Sequence, residues 1–317
     1  MSQSGFGLGP RQCRHGFATC GHVNGQLHGR AGGRHPVGGL SVATTLLLGV
    51  DFTSRPTPRK PIVLACGQSR GAVLRLGAIH RFASNADFSA WLDAHPAWIG
   101  GFDLPFGLPR ELVQHLDWPT DWAACIARYG RLDRAAIRAT FAAFCDARPA
   151  GGKFAHRACD RPAGSSPSMK WVNPPVAYML HAGVPLLQAV GASFAAHAQV
   201  GTRPERIALE AYPGLLARQI IGRRSYKADD RAKQTPDRLI ARLDLIDALA
   251  RGQPLPNSTL AHRLVLSDAQ RDAMSMDASG DTLDAVLCLA QAAWAAGQTN
   301  WGLPADVDPL EGWIISA

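Results

Sequence analysis

The sequence predicts an α/β protein: a mixed five-stranded sheet flanked by helices, with an α-helical insertion between strands four and five. Three observations lead there. Short Val-, Leu- and Ile-rich runs come first, in the order strand, strand, strand, helix, strand. An alanine-rich amphipathic block follows, and a long apolar helix over residues 282–296 comes late in the chain.

Residues 46–52, 62–68 and 73–82 are apolar runs separated by Pro, Gly, Ser and Arg clusters, which reads as an antiparallel meander. Ser84 is placed to cap a helix that carries Phe88, Trp91 and Leu92 on one face. Residues 98–103 form the fourth strand, closed by LPFGLP. Helices are expected over 109–116, 120–129, 133–147 and 175–189, with a broken Gly/Pro/Ser-rich stretch over 148–173; the insertion as a whole spans 105–203. RIALEAY at 206–212 is the fifth strand, stopped by Pro213. Helices over 214–221, 237–251 and 267–276 precede the last, and GWIIS near the end is either a strand or a packed terminus.

With 46% hydrophobic and 18% charged residues among 317, the chain can bury one core of roughly 250 residues, or two smaller ones. No apolar run reaches the roughly 18 residues of a membrane span and no signal peptide pattern opens the chain, so the expected setting is cytoplasmic. The seven cysteines show no CxxC spacing, and Cys145, His156 and Cys159 lack a fourth ligand for zinc. Residues 1–40 hold four arginines, no acid, eleven glycines and four histidines. Such a composition builds no core, so residues 1–43 read as a disordered tail or a start placed too far upstream. Of the net charge of +8, setting those arginines aside leaves 29 basic against 25 acidic residues, a mild +4.

The chemistry lies in the acids. Asp51 ends the first strand, Asp103 the fourth, Glu210 lies in the fifth, and Asp281 and Asp284 open the late apolar helix. Each has a plainer reading. Asp51 and Asp103 can form turns, and Asp281 can cap its helix while Asp284 complements the helix dipole, each worth about 0.3 to 1 kcal/mol. Together they point elsewhere, because adjacent parallel strands bring their C-terminal ends side by side, where α/β sheets place their sites. Packed carboxylates repel and raise one another's pKa unless a hard cation neutralises them, which makes Mg²⁺ or Mn²⁺ the expected guest.

GVDFTS, GGFDLPFGLP, LEAYPG with a following YK, and GDTLDAVLCLAQAAWA, in this order, resemble the domain of unknown function 429 family, predicted RNase H-like nucleases of the RuvC-like branch. The resemblance runs over residues 46–315. It implies an RNase H-like fold and a metal-dependent phosphodiester hydrolase. In that scheme Asp51 would bridge two divalent ions, Asp103 and Asp284 would each hold one, and Asp281 or Glu210 would complete the shell or position the attacking water.

Basic residues suggest the substrate side. Lys153, Arg157, Arg161 and Lys170, interleaved with Phe154 and Trp171, could track a phosphate backbone, and Lys227 with Arg231 and Lys233 is a second candidate; the alternative in both cases is a solvated surface. The expected partner is a nucleic acid, DNA or RNA. A non-catalytic nucleic-acid-binding or adaptor module is the rival reading. No GxxxxGK[ST] or GxGxxG motif is present, GASFA lacks the second glycine of a nucleophile elbow, and one unrepeated body is short for an actin-like ATPase.

Overall fold

β1, Leu47–Asp51, is apolar at every position but the last because both its faces are covered. The computed structural model describes residues 45–252 and 259–317, and within these β1 is the middle strand of a seven-stranded sheet whose strands lie in the order Ser193–Phe194, Arg206–Glu210, Trp98–Asp103, Leu47–Asp51, Ile62–Arg70, Val73–Phe82 and Arg263–Val265. The tail expected over residues 1–43 lies outside the described residues. β2, Ile62–Arg70, and β3, Val73–Phe82, continue antiparallel from β1, and their outer ends alternate buried and exposed as a half-covered meander must. On the other side β4, Trp98–Asp103, and β6, Arg206–Glu210, run parallel to β1.

The expectation of five strands is corrected by two short ones. β5, Ser193–Phe194, and β7, Arg263–Val265, add to the two edges. With two and three residues they have no periodicity of their own, and the neighbouring strand that supplies their hydrogen bonds also supplies their conformation.

The helices lie where their caps and apolar faces put them. Ser84 accepts from the Asp87 amide at 3.1 Å to start α1, Asn85–Asp93. Asp121 and Asp133 cap α3, Trp122–Gly130, and α4, Arg134–Asp146, in the same way. α2, Arg110–His115, precedes them; the four-residue α5, Asp160–Ala163, and then α6, Val176–Ala189, follow. Phe88, Ile126, Phe141 and Leu180 from this group share one apolar cluster with Leu48, Val50 and Phe102 of the sheet. Most of the expected insertion is therefore one of the two layers on the sheet.

The opposite face carries α7, Pro213–Ile221, α8, Pro236–Arg251, α9, Asp268–Met276, and α10, Asp281–Ala296. Their apolar residues close a second cluster with Leu47, Val63 and Ala65. No helix among the described residues is long and apolar enough to cross a membrane.

α10 decides the geometry of the site, and two glycines decide α10. Gly49 and Gly101 are register partners on β1 and β4, two residues before Asp51 and Asp103 and on the same face. A Cβ on Gly49 would lie 2.1 Å from both the Ala285 carbonyl oxygen and the Leu289 nitrogen, and one on Gly101 would lie 2.7 Å from the Cys288 carbonyl oxygen. The helix backbone thus rests directly on the strands. Gly49→Ala is expected to cost about 3 kcal/mol, because backbone has to move to admit the methyl group, and to weaken divalent-ion binding by tilting the helix that carries Asp284. Denaturant unfolding with and without Mn²⁺ measures both.

Candidate metal centre

In the parallel register Asp51 stands directly beside Asp103, so both carboxylates leave the C-terminal edge of the sheet on the α10 face. Asp284, in the first turn of α10, meets them there, and one carboxylate oxygen from each of the three lies within 4.8 Å of the others. The expected convergence of Asp51, Asp103 and Asp284 is what the fold produces.

The cluster is electrostatically strained. Burial pushes the Asp51 carboxyl well up from its ordinary value, and Asp284, Asp281 and Asp103 push it further, while Lys227 and Lys60 oppose. Burial likewise raises Asp103 to about 7, against the pull of Lys227 and with help from Asp284 and Glu210. Asp284 is raised by burial too, although Lys227 and the hydroxyl of Tyr226, which donates to its Oδ1 at 2.5 Å, hold it down. The Lys227 ammonium donates to Asp284 Oδ2; 42% of its side chain is exposed, yet the carboxylate it meets is fully buried.

Asp281, also expected as a ligand, stands close enough to act on Asp51 but is not one of the three carboxylates that converge. Its Oδ1 accepts from Lys60 at 2.8 Å, and the same ammonium reaches Asp229 at 3.0 Å. Nor does it cap α10. Gly280, with φ of 81°, is the N-cap, and it is Asp277 that accepts from the Thr282 amide at 2.9 Å. Four acids, Asp51, Asp103, Asp281 and Asp284, thus face two lysines, Lys60 and Lys227. Lys60 is shared with Asp229 as well, so the cluster is short of positive charge, which a divalent cation would supply. The donor set is all oxygen, since burial and then the nearby carboxylates keep the Cys288 thiol, one turn along α10, protonated. Such a set suits Mg²⁺ or Mn²⁺.

Glu210 and Arg157, expected on the metal and substrate sides, neutralise each other instead. Arg157 Nη1 donates to Glu210 Oε2 at 2.7 Å and Nη2 to Oε1 at 2.6 Å, while Asp160 Oδ1 accepts from Nε at 3.1 Å. The reason is register. Glu210 stands opposite Phe102, one residue short of Asp103, so its side chain leaves the other face of the sheet. The guanidinium, 2% exposed, cannot reach a nucleic acid.

Lys153 and Arg161 are exposed and Lys170 is half-buried; among the described residues the ion pair to the three carboxylates comes from Lys227 and from none of these. Of the expected basic residues Lys227 thus adjoins the carboxylates, through its ion pair with Asp284, and Arg218, Arg223 and Arg224 beside it were passed over in the sequence. A cleft of about 490 Å³ is lined by Asp103, Lys227, Tyr212, Arg218, Arg223 and Arg224. The run GRRSYK at 222–227 marks it, because a glycine ending α7 at φ of 67° is followed by two arginines and then the two residues that hold Asp284.

The chain matches no protein-family model, no curated protein and no solved structure.

Lys227 competes with any ion for Asp284. Lys227→Met leaves that buried carboxylate with only a tyrosine hydroxyl, and is expected to lower the melting temperature of the metal-free protein while enlarging the rise that Mn²⁺ produces. Thermal melts with and without Mn²⁺ check the pair of effects.

Proposed function

We propose that the protein is a metal-dependent nuclease that hydrolyses nucleic acid phosphodiester bonds at the Asp51, Asp103 and Asp284 cluster. The observation that carries this is the meeting of three carboxylates within 4.8 Å, short of positive charge. A middle strand flanked by one antiparallel and one parallel neighbour, with acids at the parallel ends and on a late helix, supports an RNase H-like reading and kinship with the domain of unknown function 429 family.

In this reading Asp51, Asp103 and Asp284 hold Mg²⁺ or Mn²⁺. A bound ion would lower the pKa of a water molecule and offset charge on the phosphoryl oxygens. Asp281 and Lys60 set the charge beside the ligands, and Tyr226 orients Asp284. Lys227, 42% exposed beside Asp284, would be placed to meet a phosphate oxygen. Arg218, Arg223 and Arg224 line the approach.

Incubation with duplex, single-stranded, hybrid and branched substrates, with and without metal, tests the reading. Cleavage that needs the metal and disappears in Asp51→Asn is the expected result. No cleavage of any of the four would overturn it. The Lys227 to Asp284 ion pair favours one rival, a nucleic-acid-binding module in which the ammonium stands in for an ion; there, binding would ignore metal and survive Asp51→Asn.

A further inference from the structure

We infer that the cleft beside the metal centre receives a single-stranded nucleic acid segment rather than a duplex. The inference rests on the nuclease reading and names its substrate class. The cleft, about 490 Å³, is lined by Asp103 and Lys227 together with Arg218, Arg223 and Arg224, three arginines and a lysine against one acid. A second hollow of about 410 Å³ shares Arg224 and Ser225 with the first and adds Arg238 and Asp237, so a basic path leads away from the carboxylates.

Shape decides between strands. Duplexes are read by elements that project into their grooves, whereas a concave basic hollow with an aromatic wall takes a backbone whose bases are free to stack. Tyr212 supplies that wall, half-buried, with the Arg218 guanidinium 5.4 Å above its ring. The arginines differ in how far they are committed. Arg218 donates to the Ala163 carbonyl, Arg224 pairs with Asp244 at 2.6 Å on the surface, and Arg223 is exposed with no partner among the described residues. A phosphate passing Arg223 meets a charge that no group among the described residues satisfies.

Fluorescence anisotropy tests this with the full chain carrying Asp51→Asn, in Mg²⁺, so that probes stay intact. The probes are single-stranded DNA and RNA of about a dozen nucleotides, long enough for both hollows, and the same sequences annealed to their complements. Single strands should bind tenfold or more tightly than duplexes. Arg223→Ala should weaken single-strand binding and shrink the slope of log affinity against log salt by about 0.7, the share of one phosphate contact. Equal or tighter binding of duplex, absence of binding to either, or an Arg223→Ala variant with unchanged affinity and slope would each overturn the inference. Failure of the parent reading shows separately, as wild-type protein that cleaves nothing with metal present.

Discussion

Asp51→Asn is expected to remove metal-dependent cleavage, by about a thousandfold or more, and at the same time to make the metal-free protein more heat-stable above neutral pH. The two outcomes have one cause. Asp51 and Asp103 are half-buried beside other carboxylates, so the folded state favours their protonated forms, Asp51 strongly and Asp103 with its pKa raised to about 7. Below an unfolded pKa near 4 both states carry the proton and the penalty is absent. As pH rises from there to about 7 the unfolded chain loses the proton first, so stability falls across that window, by an amount on the order of a few kcal/mol for Asp103. Asp277 acts in the opposite sense and lower down. Its carboxylate, burdened by burial but held by Ser279, Thr282 and Arg81, is depressed to about 2, and the stability it lends is lost only as pH falls toward that value. The metal-free protein should therefore melt highest in mildly acidic buffer, and Asp51→Asn should flatten the decline toward alkaline pH. Melting curves across the range, beside a cleavage assay, separate this from simple unfolding of the variant.

Arg157→Met is the substitution expected to cost most in stability. It leaves Glu210 and Asp160, 3% and 0% exposed, with no cation, and removing one partner of a buried ion pair costs about 3 to 5 kcal/mol. At roughly 2 to 4 °C per kcal/mol for a body of this size, the melting temperature should fall by roughly 10 °C. Arg157→Lys keeps the charge but loses the two-pronged geometry, and it should fall between wild type and Arg157→Met. The informative companion is Glu210→Gln. As a metal ligand Glu210 would take activity with it; as the partner of Arg157 it should lower stability and leave cleavage intact.

Much of this architecture could be read along the chain. The apolar run ending in Asp51, the cap at Ser84, and the greasy helix with acids in its first turn each depend on neighbours in sequence, and each is where local chemistry puts it. Asp51 and Asp103 were legible as a pair because two parallel strands with acids at their ends have few other arrangements. Glu210 was not, because its face depends on which residue of β4 it stands beside, and a shift of one position reverses the answer. The residue that does turn toward α10 from that strand's end is Ala211, whose Cβ would lie 3.2 Å from one built on Gly101. Lys60 and Asp281, separated by 221 residues, meet only because the loop after β1 returns to the N-terminus of α10. Arg157 sits 53 residues before Glu210 inside a stretch that composition alone marks as surface. Cations are the harder half to foresee, since long side chains choose partners after the backbone is placed.

The central claim is that Asp51, Asp103 and Asp284 make one divalent-cation site, and calorimetric titration of Mn²⁺ into the metal-free protein tests it most directly. At about neutral pH the account expects a tight ion, heat that changes with the buffer because Asp103 gives up a proton on binding, and loss of the tight phase in Asp284→Asn. Absence of binding to the wild type, or the same isotherm from Asp284→Asn, would contradict it.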